Sequence, residues 1–301
     1  MKRYRRLIIL IVLFVFIIVG LIFGFKAIFF NEKKDNTKAY VLNDIDYKSI
    51  DELDLDLYSR SYLLIRLNDY KALYGKKYDS PIYPASLTKV VAMDTLLSLF
   101  SDLSDTSSLT QEQYNNLISE NASLAGLVPY REYRLIDLLY YLVLPSGADA
   151  AVAIENYFES KGLNLVDEMN KRCNDLGLKD SHFTNPTGLH DDDMYTTLKD
   201  LSLIYIDCLK FKEGKDVLKT AYKGEYNLYS TLYPLVNRGD EVIVYGGKTG
   251  YTDEAHQNII VFYEAYNRSY ILLLAGAFGD EGAGAHYHYK DVNTIFEYLY
   301  N

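Results

Sequence analysis

The apolar pattern of this 301-residue chain changes period twice, and that change limits the folds open to it. "SYLLIRLN" and "KALYGKKY", between Ser61 and Tyr78, read as two strands around a turn at Asn68-Asp69. Helical spacing then takes over. "SLTKVVAMDTLLSLF" is a first helix starting after Pro84, and "YRLIDLLYYLVL" is a second, stopped by Pro145-Ser146-Gly147. "ADAAVAIENYFES" restarts as a third, and two later helices carry Cys173 and Cys208. Strand character returns in "DEVIVYGGKTG", which runs into glycines. It continues in "NIIVFYEAYNRSYILLLAGAF", two apolar strands about a turn at Tyr266-Asn267-Arg268. "KDVNTIFEYLY" closes as a helix. Strands at both ends with helices between them predict an α+β layered fold with a helical insert. The terminal segments must meet to complete one sheet.

The N-terminus has a different character. Lys2, Arg3, Arg5 and Arg6 precede an uncharged run of nineteen residues, Leu7 to Phe25. At about 1.5 Å per helical residue such a run crosses a hydrocarbon core of about 30 Å. The basic cluster ahead of it predicts a cytoplasmic N-terminus, with the remaining chain outside the cytoplasm. The competing reading is a cleavable signal peptide. Its apolar region usually spans about 7–15 residues and ends at a small-x-small site, which "FGFKAIFFN" does not offer. The expected organisation is therefore a single-pass membrane anchor over residues 1–25 and a polar, acid-rich tether and lead-in over 26–57. The catalytic domain would occupy 58–301, with a helical part at about 101–235. Five of the 31 basic residues and none of the 41 acidic ones fall within residues 1–26, which leaves the rest at −15. A surface this negative repels nucleic acid and anionic lipid.

Cys173 shares a helical stripe with Val166, Met169 and Leu176, and Cys208 shares one with Leu201 and Ile204. Buried apolar thiols are expected rather than a disulfide. No Cys/His group has zinc spacing, and Asp191, Asp192 and Asp193 lack the alternation and glycine of a calcium loop. His182, Asn185 and Gly188 read as a structural turn beneath a site; His256, His286 and His288 read as surface or packing residues.

"YGGKTGYTDEA", residues 245–255, contains two overlapping motifs. A phosphate-binding loop G-x-x-x-x-G-K-[ST] ending at Lys248-Thr249 would need glycine at position 242, which is valine. It would also need a helix afterwards, where the sequence continues as strand. Lys248-Thr249-Gly250 fits instead as the third member of the set S-x-x-K, S-D-N, K-T-G of penicillin-binding proteins and class A β-lactamases. Ser86-Leu87-Thr88-Lys89 is the one S-x-x-K in the chain. Residues three apart share a helix face, so the Lys89 amine can reach the Ser86 hydroxyl. A serine needs such a base to become a nucleophile, and a lysine serves only if burial or a like charge lowers its pKa. Lys248 could supply that charge or attract a substrate carboxylate, with Thr249 donating a hydrogen bond. Gly250 would let a substrate backbone approach the strand edge. Ser146 falls on the break between two helices where a Ser-x-Asn is expected, but position 148 is alanine.

With these motifs in order, and with "PASLTKVVAMDTLL", "LPSGADAA", "HFTNPTGLHDDDMYTTLKDLSLI" and "GGKTGYTDEA" around them, the chain resembles the serine-type D-Ala-D-Ala carboxypeptidases. These are the low-molecular-mass penicillin-binding proteins of the S11 peptidase family, and the resemblance covers roughly residues 58–300. It implies a β-lactamase/transpeptidase-like α+β fold: an antiparallel sheet flanked by helices, with an all-helical subdomain. It implies Ser86 as the acylated nucleophile, Lys89 as general base and Ser146 as proton relay. Lys248 and Thr249 would bind the substrate carboxylate, and the backbone N–H groups of Ser86 and Tyr251 would hold the oxyanion. The implied partners are peptidoglycan stem peptides and, as covalent inhibitors, β-lactam antibiotics; no cofactor or metal is needed. The sequence departs from the family at Ala148, at "HQN" after Ala255, where a small residue such as glycine is usual, and in lacking an evident arginine in "GDEGAGAHYHYK". Two alternatives stay open: a β-lactam hydrolase of the same fold, and a non-catalytic homologue that binds or regulates the cell wall.

Overall fold

The computed structural model describes residues 45–236 and 241–300. The expected anchor and the tether up to residue 44 lie outside the described residues. Among the described residues no helix is long and apolar enough to cross a membrane. The fold begins ahead of the expected boundary at 58. Ile45 and Leu53 are buried, and Asp46 and Asp51 form parallel bridges to Lys71 and Tyr74. Two apolar side chains scattered among acids gave no periodic signal there.

The expected meeting of the two chain ends takes place. Strands β1 (Ser61–Arg66) and β2 (Lys71–Lys76) join β7 (Val242–Thr252), β8 (His256–Ala265) and β9 (Arg268–Ala277) in one five-stranded sheet. Its order is β2-β1-β9-β8-β7, antiparallel throughout, and β1 closes it by pairing Ser61 with Ala275 through Arg66 with Tyr270. Between β2 and β7 the chain forms α1 (Thr88–Leu99), β3 (Thr106–Ser107), α2 (Gln111–Ser119), β4 (Tyr133–Arg134), α3 (Leu135–Val143) and α4 (Ala148–Ser160). Then follow α5 (Leu165–Asp175), α6 (Leu198–Cys208), α7 (Lys212–Leu218), β5 (Tyr222–Lys223) and β6 (Leu228–Tyr229). Helix α8 (Tyr287–Tyr300) ends the fold.

Both faces of the sheet are covered, which is why "NIIVFY" and "YILLLA" are apolar without alternation. Leu63, Ile65, Ile260, Phe262, Ile271 and Leu273 face the helical layer, while Tyr62, Leu64, Ile259, Val261, Tyr263, Leu272 and Leu274 face α8 through Val292, Ile295 and Phe296. Helix α1 is buried from Thr88 to Leu97, as a central helix must be. A buried ionic group pins it. The Arg172 guanidinium of α5 donates to Asp94 on α1 at 2.8 Å and to Asp207 on α6. Burial pushes the Asp94 carboxyl up to about 7, and Arg172 acts against that rise. Cys173 and Cys208 are free and buried, as the helical stripes implied.

The hairpin from β8 to β9 turns at Tyr266 and Asn267, both left-handed (φ 48° and 59°), the signature of a two-residue hairpin turn. The hairpin from β7 to β8 places His256 at φ 56°. This is the stretch "HQN", where the resemblance implies a small residue such as glycine. A left-handed non-glycine residue costs roughly 1–2 kcal/mol, while glycine costs about 0.5–1 kcal/mol more chain entropy on folding. His256→Gly is therefore expected to stabilise the fold by about 0.5–1 kcal/mol, read as a higher midpoint in urea unfolding. A lower midpoint would mean that the His256 contacts with Arg60 and Phe278 outweigh the strain.

Candidate active site

Ser86 lies in a 3-10 turn, Ala85–Leu87, just ahead of α1 rather than inside the α-helix. Side chains three apart eclipse in such a turn, and Lys89 Nζ stands 2.7 Å from Ser86 Oγ. The turn is strained, with Ala85 at φ 49°, and its neighbours hold it in place. Asn258 of β8 donates to the carbonyls of Tyr83 (2.9 Å) and Pro84 (3.3 Å) while accepting from Gly276 N–H at 2.9 Å. Two glycines let other backbones press against it. A Cβ on Gly188, which sits at φ 76°, would fall 2.1 Å from the Ala85 carbonyl oxygen. A Cβ on Gly250 would fall 3.0 Å from both Pro84 O and Ser86 N. The turn that carries Ser86 therefore crowds Gly250 closely on one side.

Lys89 is 1% exposed. Besides Ser86 it donates to the Thr187 carbonyl at 2.6 Å. That carbonyl is set by Asn185, whose Oδ1 accepts from the N–H groups of Thr187 and Gly188 and from the Thr187 hydroxyl. The segment is the structural turn the sequence implied, and it also supplies a partner to the amine. Burial brings the Lys89 pKa down to about 7, with the Asp149 charge acting in the opposite direction.

Ser146 occupies the break between α3 and α4, left-handed at φ 65°. Lys248 of β7 donates to its Oγ at 2.8 Å and to the Thr249 carbonyl at 2.5 Å. Lys248 has no exposed surface. Burial, and then the Lys89 charge, hold its pKa well below the ordinary lysine value. Two serine–lysine pairs therefore lie near enough for the Lys89 charge to act on Lys248, one on the nucleophile turn and one spanning the α3–α4 break and the edge strand β7.

Thr249 Oγ1 donates to Thr231 Oγ1 at 2.7 Å. Thr231 in turn donates its N–H to the Leu144 carbonyl at 3.0 Å and receives the Tyr289 hydroxyl on its own carbonyl. It thereby ties β7, the Ser146 loop and α8 together. Nothing in the local sequence marked Thr231, Asn258 or the Thr187 carbonyl. Ala148 opens α4 with its side chain buried and its N–H on the Ser123 carbonyl at 2.7 Å, so it offers the site no amide. Asp149 points elsewhere, as its place at the helix start implied: it accepts from the N–H groups of Ala125, Gly126 and Leu127 at 2.9, 2.9 and 2.8 Å. Tyr251 is exposed, with its hydroxyl 2.6 Å from Asp253. It lines a cavity of about 900 Å³ together with Asn185, Thr187, His190 and Glu155. This cavity opens beside the carbonyl that holds Lys89.

An antiparallel sheet between helical layers, carrying two neighbouring serine–lysine pairs, defines the fold class of the DD-peptidases. The Streptomyces K15 DD-transpeptidase superposes with a TM-score of 0.68 at 21% identity, covering 81% of this chain and 99% of that one. A D-alanyl-D-alanine carboxypeptidase from Mycobacterium tuberculosis superposes at 0.67 and 21% identity, over 85% of this chain and 96% of its own. The chain belongs to the D-alanyl-D-alanine carboxypeptidase family, peptidase S11, whose sequence profile matches residues 48–278. Bacillus subtilis D-alanyl-D-alanine carboxypeptidase DacF is 28% identical over 232 residues, which is 73% of this chain and 57% of that protein. Escherichia coli DacA is 28% identical over 213 residues, 67% of this chain and 52% of that protein. The chain thus spans just over half the length of these two relatives.

Proposed function

We propose that this chain is an exported D-Ala-D-Ala carboxypeptidase that trims peptidoglycan stem peptides through a serine acyl-enzyme. The observation that carries the reading is the convergence of Ser86–Lys89 and Ser146–Lys248 from distant parts of the chain. Neutral Lys89 takes the proton of Ser86 Oγ as that oxygen attacks the carbonyl of the D-Ala-D-Ala bond. The N–H groups of Ser86 and Tyr251 stabilise the oxyanion; losing one such donor typically costs about 2.7–4 kcal/mol of barrier. Ser146, hydrogen-bonded to Lys248, relays to the leaving amine the proton that Lys89 took up, which leaves Lys89 neutral again. The C–N bond breaks, D-alanine departs, and the remaining peptide is esterified to Ser86. Water then attacks the ester with Lys89 again as base, which restores the serine. Lys248 and the Thr249 hydroxyl hold the terminal carboxylate of the substrate, the latter after it turns from Thr231. The acyl portion extends toward Tyr251 and its cavity. The basic residues and long apolar run at the N-terminus support residues 1–25 as a membrane anchor, with residues 26–44 as tether and the catalytic domain outside the cytoplasm.

The test is D-alanine release from a stem pentapeptide by the full-length protein in detergent, together with labelling by a fluorescent penicillin. Release, and a stable adduct that peptide mapping assigns to Ser86, are expected. Rapid turnover of the drug without an adduct would favour the β-lactam hydrolase. Neither release nor labelling would leave a non-catalytic wall-binding protein.

A further inference from the structure

Around Thr231, the partner of the Thr249 hydroxyl, the surface carries an aromatic cluster. Tyr222, Tyr229 and Tyr233 are 44%, 48% and 47% exposed, yet they pack on one another. The rings of Tyr222 and Tyr229 lie 4.4 Å apart at 30°, and Tyr233 meets Tyr229 edge-on at 5.1 Å. Tyr222 and Tyr229 are directly opposed across the β5–β6 hairpin. Among the described residues no other three half-exposed tyrosines stack in this way. Their mount is rigid: Ser230 N–H donates to the Ala221 carbonyl at 2.8 Å and Tyr233 N–H to the Ser230 carbonyl at 2.9 Å.

We propose that this cluster is a sugar-stacking platform that takes a neutral amino-sugar polymer, the glycan strand of peptidoglycan, next to the reacting stem peptide. The proposal rests on the function proposed above. The face of a pyranose ring presents polarised C–H groups, which suit the negative face of an aromatic ring, while its hydroxyls suit the phenolic rim. Three linked tyrosines form an apolar surface with a polar border, the pattern that marks a binding site rather than scattered exposure. Position selects the ligand. Tyr229 and Tyr233 each lie two residues from Thr231, at most about 7 Å of chain, and Thr231 bonds the Thr249 hydroxyl. With the substrate carboxylate at Thr249 and the acyl portion toward Tyr251, the platform lies past the free end of the stem peptide. A glycan strand beside the one that bears the reacting stem would meet the protein at this point. Charge argues in the same direction. The chain is acidic, with a net charge of −10, which repels an anionic lipid surface but not an uncharged sugar.

The experiment compares two substrates on the full-length protein: free stem pentapeptide and intact sacculi that retain pentapeptide stems. Tyr229→Ala and Tyr233→Ala are each expected to slow D-alanine release from sacculi roughly fivefold to tenfold, the size of one or two lost aromatic contacts. Release from free pentapeptide should stay unchanged, and Tyr229→Phe, which keeps the ring, should restore the rate on sacculi. Unchanged thermal melting confirms that each variant is folded. Binding of a stem-free N-acetylglucosamine tetrasaccharide, followed by tyrosine fluorescence, should be lost in Tyr229→Ala, and this readout does not depend on peptidase activity. Equal rates on sacculi with wild-type tetrasaccharide binding would overturn the platform while leaving the peptidase intact. So would a Tyr229→Ala effect confined to phospholipid vesicle binding or to self-association. Failure of pentapeptide hydrolysis by the wild type would instead count against the enzyme reading alone.

Discussion

Lys89→Ala is expected to cut D-alanine release by at least about 10⁴-fold, the scale seen when one member of a nucleophile–base unit is removed. The expectation follows from position as well as chemistry. Lys89 is the amine in contact with the Ser86 hydroxyl, and its other bond goes to a carbonyl, which cannot accept a proton in its place. Lys89→Arg should be equally inactive at every pH, because a guanidinium does not deprotonate in this range. The wild-type acylation rate should climb as pH rises through about 7, where buried Lys89 loses its proton. The same depression shapes stability. Between about 7 and the ordinary 10.5 the folded state binds less proton than the unfolded one. From this group the unfolding free energy therefore rises with pH across that window, and the contribution is lost as pH falls through about 7. Lys89→Ala should flatten that slope in urea titrations at a series of pH values. A variant with near-normal release would require another base and would remove Lys89 from the mechanism.

The legible parts of the site were those whose partners are close in sequence or held by regular structure. Ser86 and Lys89 are three residues apart in one turn, so their contact follows from helix geometry. Lys248 lies on a strand whose apolar flanks announced it. The alternation of helices with the Pro145-Ser146-Gly147 break located Ser146. What the sequence could not display is carried by backbone atoms and by single long-range contacts. The carbonyl that holds Lys89 belongs to Thr187, but any residue has a carbonyl. Thr231 and Asn258 each act through three hydrogen bonds to other segments of the chain, and such contacts leave no periodicity. Helix α2 carried a capping box at Thr110 and Gln113, yet Leu117 is its one buried side chain, too little for an apolar stripe. The glycine at 250 was visible, but its tight contact with Pro84 and Ser86 was not, because they lie more than 160 residues earlier in sequence.

Lys248→Met should lower kcat/KM for the pentapeptide by about 10²–10³-fold, mainly through KM, since removing one partner of a buried charged hydrogen bond costs roughly 2–5 kcal/mol. The amine lies in an awkward setting in the free protein. It is fully buried beside Lys89, and it donates to a hydroxyl and a carbonyl, neither of which carries a negative charge. Its pKa is accordingly held well below the lysine norm by burial and by the neighbouring amine. A substrate carboxylate arriving at Thr249 reverses that balance, because an opposite charge within about 4–6 Å favours the ammonium form. Binding should therefore take up a proton at any pH above the depressed value and below the restored one. Calorimetric titration with a non-hydrolysable D-Ala-D-Ala analogue, repeated in buffers of different ionisation enthalpy, measures that uptake directly. Lys248→Met should abolish the buffer dependence along with the affinity, while Ser146→Ala should keep the uptake and lose rate, because it removes the proton route to the leaving amine but not the charge. Buffer-independent heats in the wild type would mean that Lys248 is already an ammonium in the free protein, and the carboxylate would then have to be held against a charge that the fold tolerates without it.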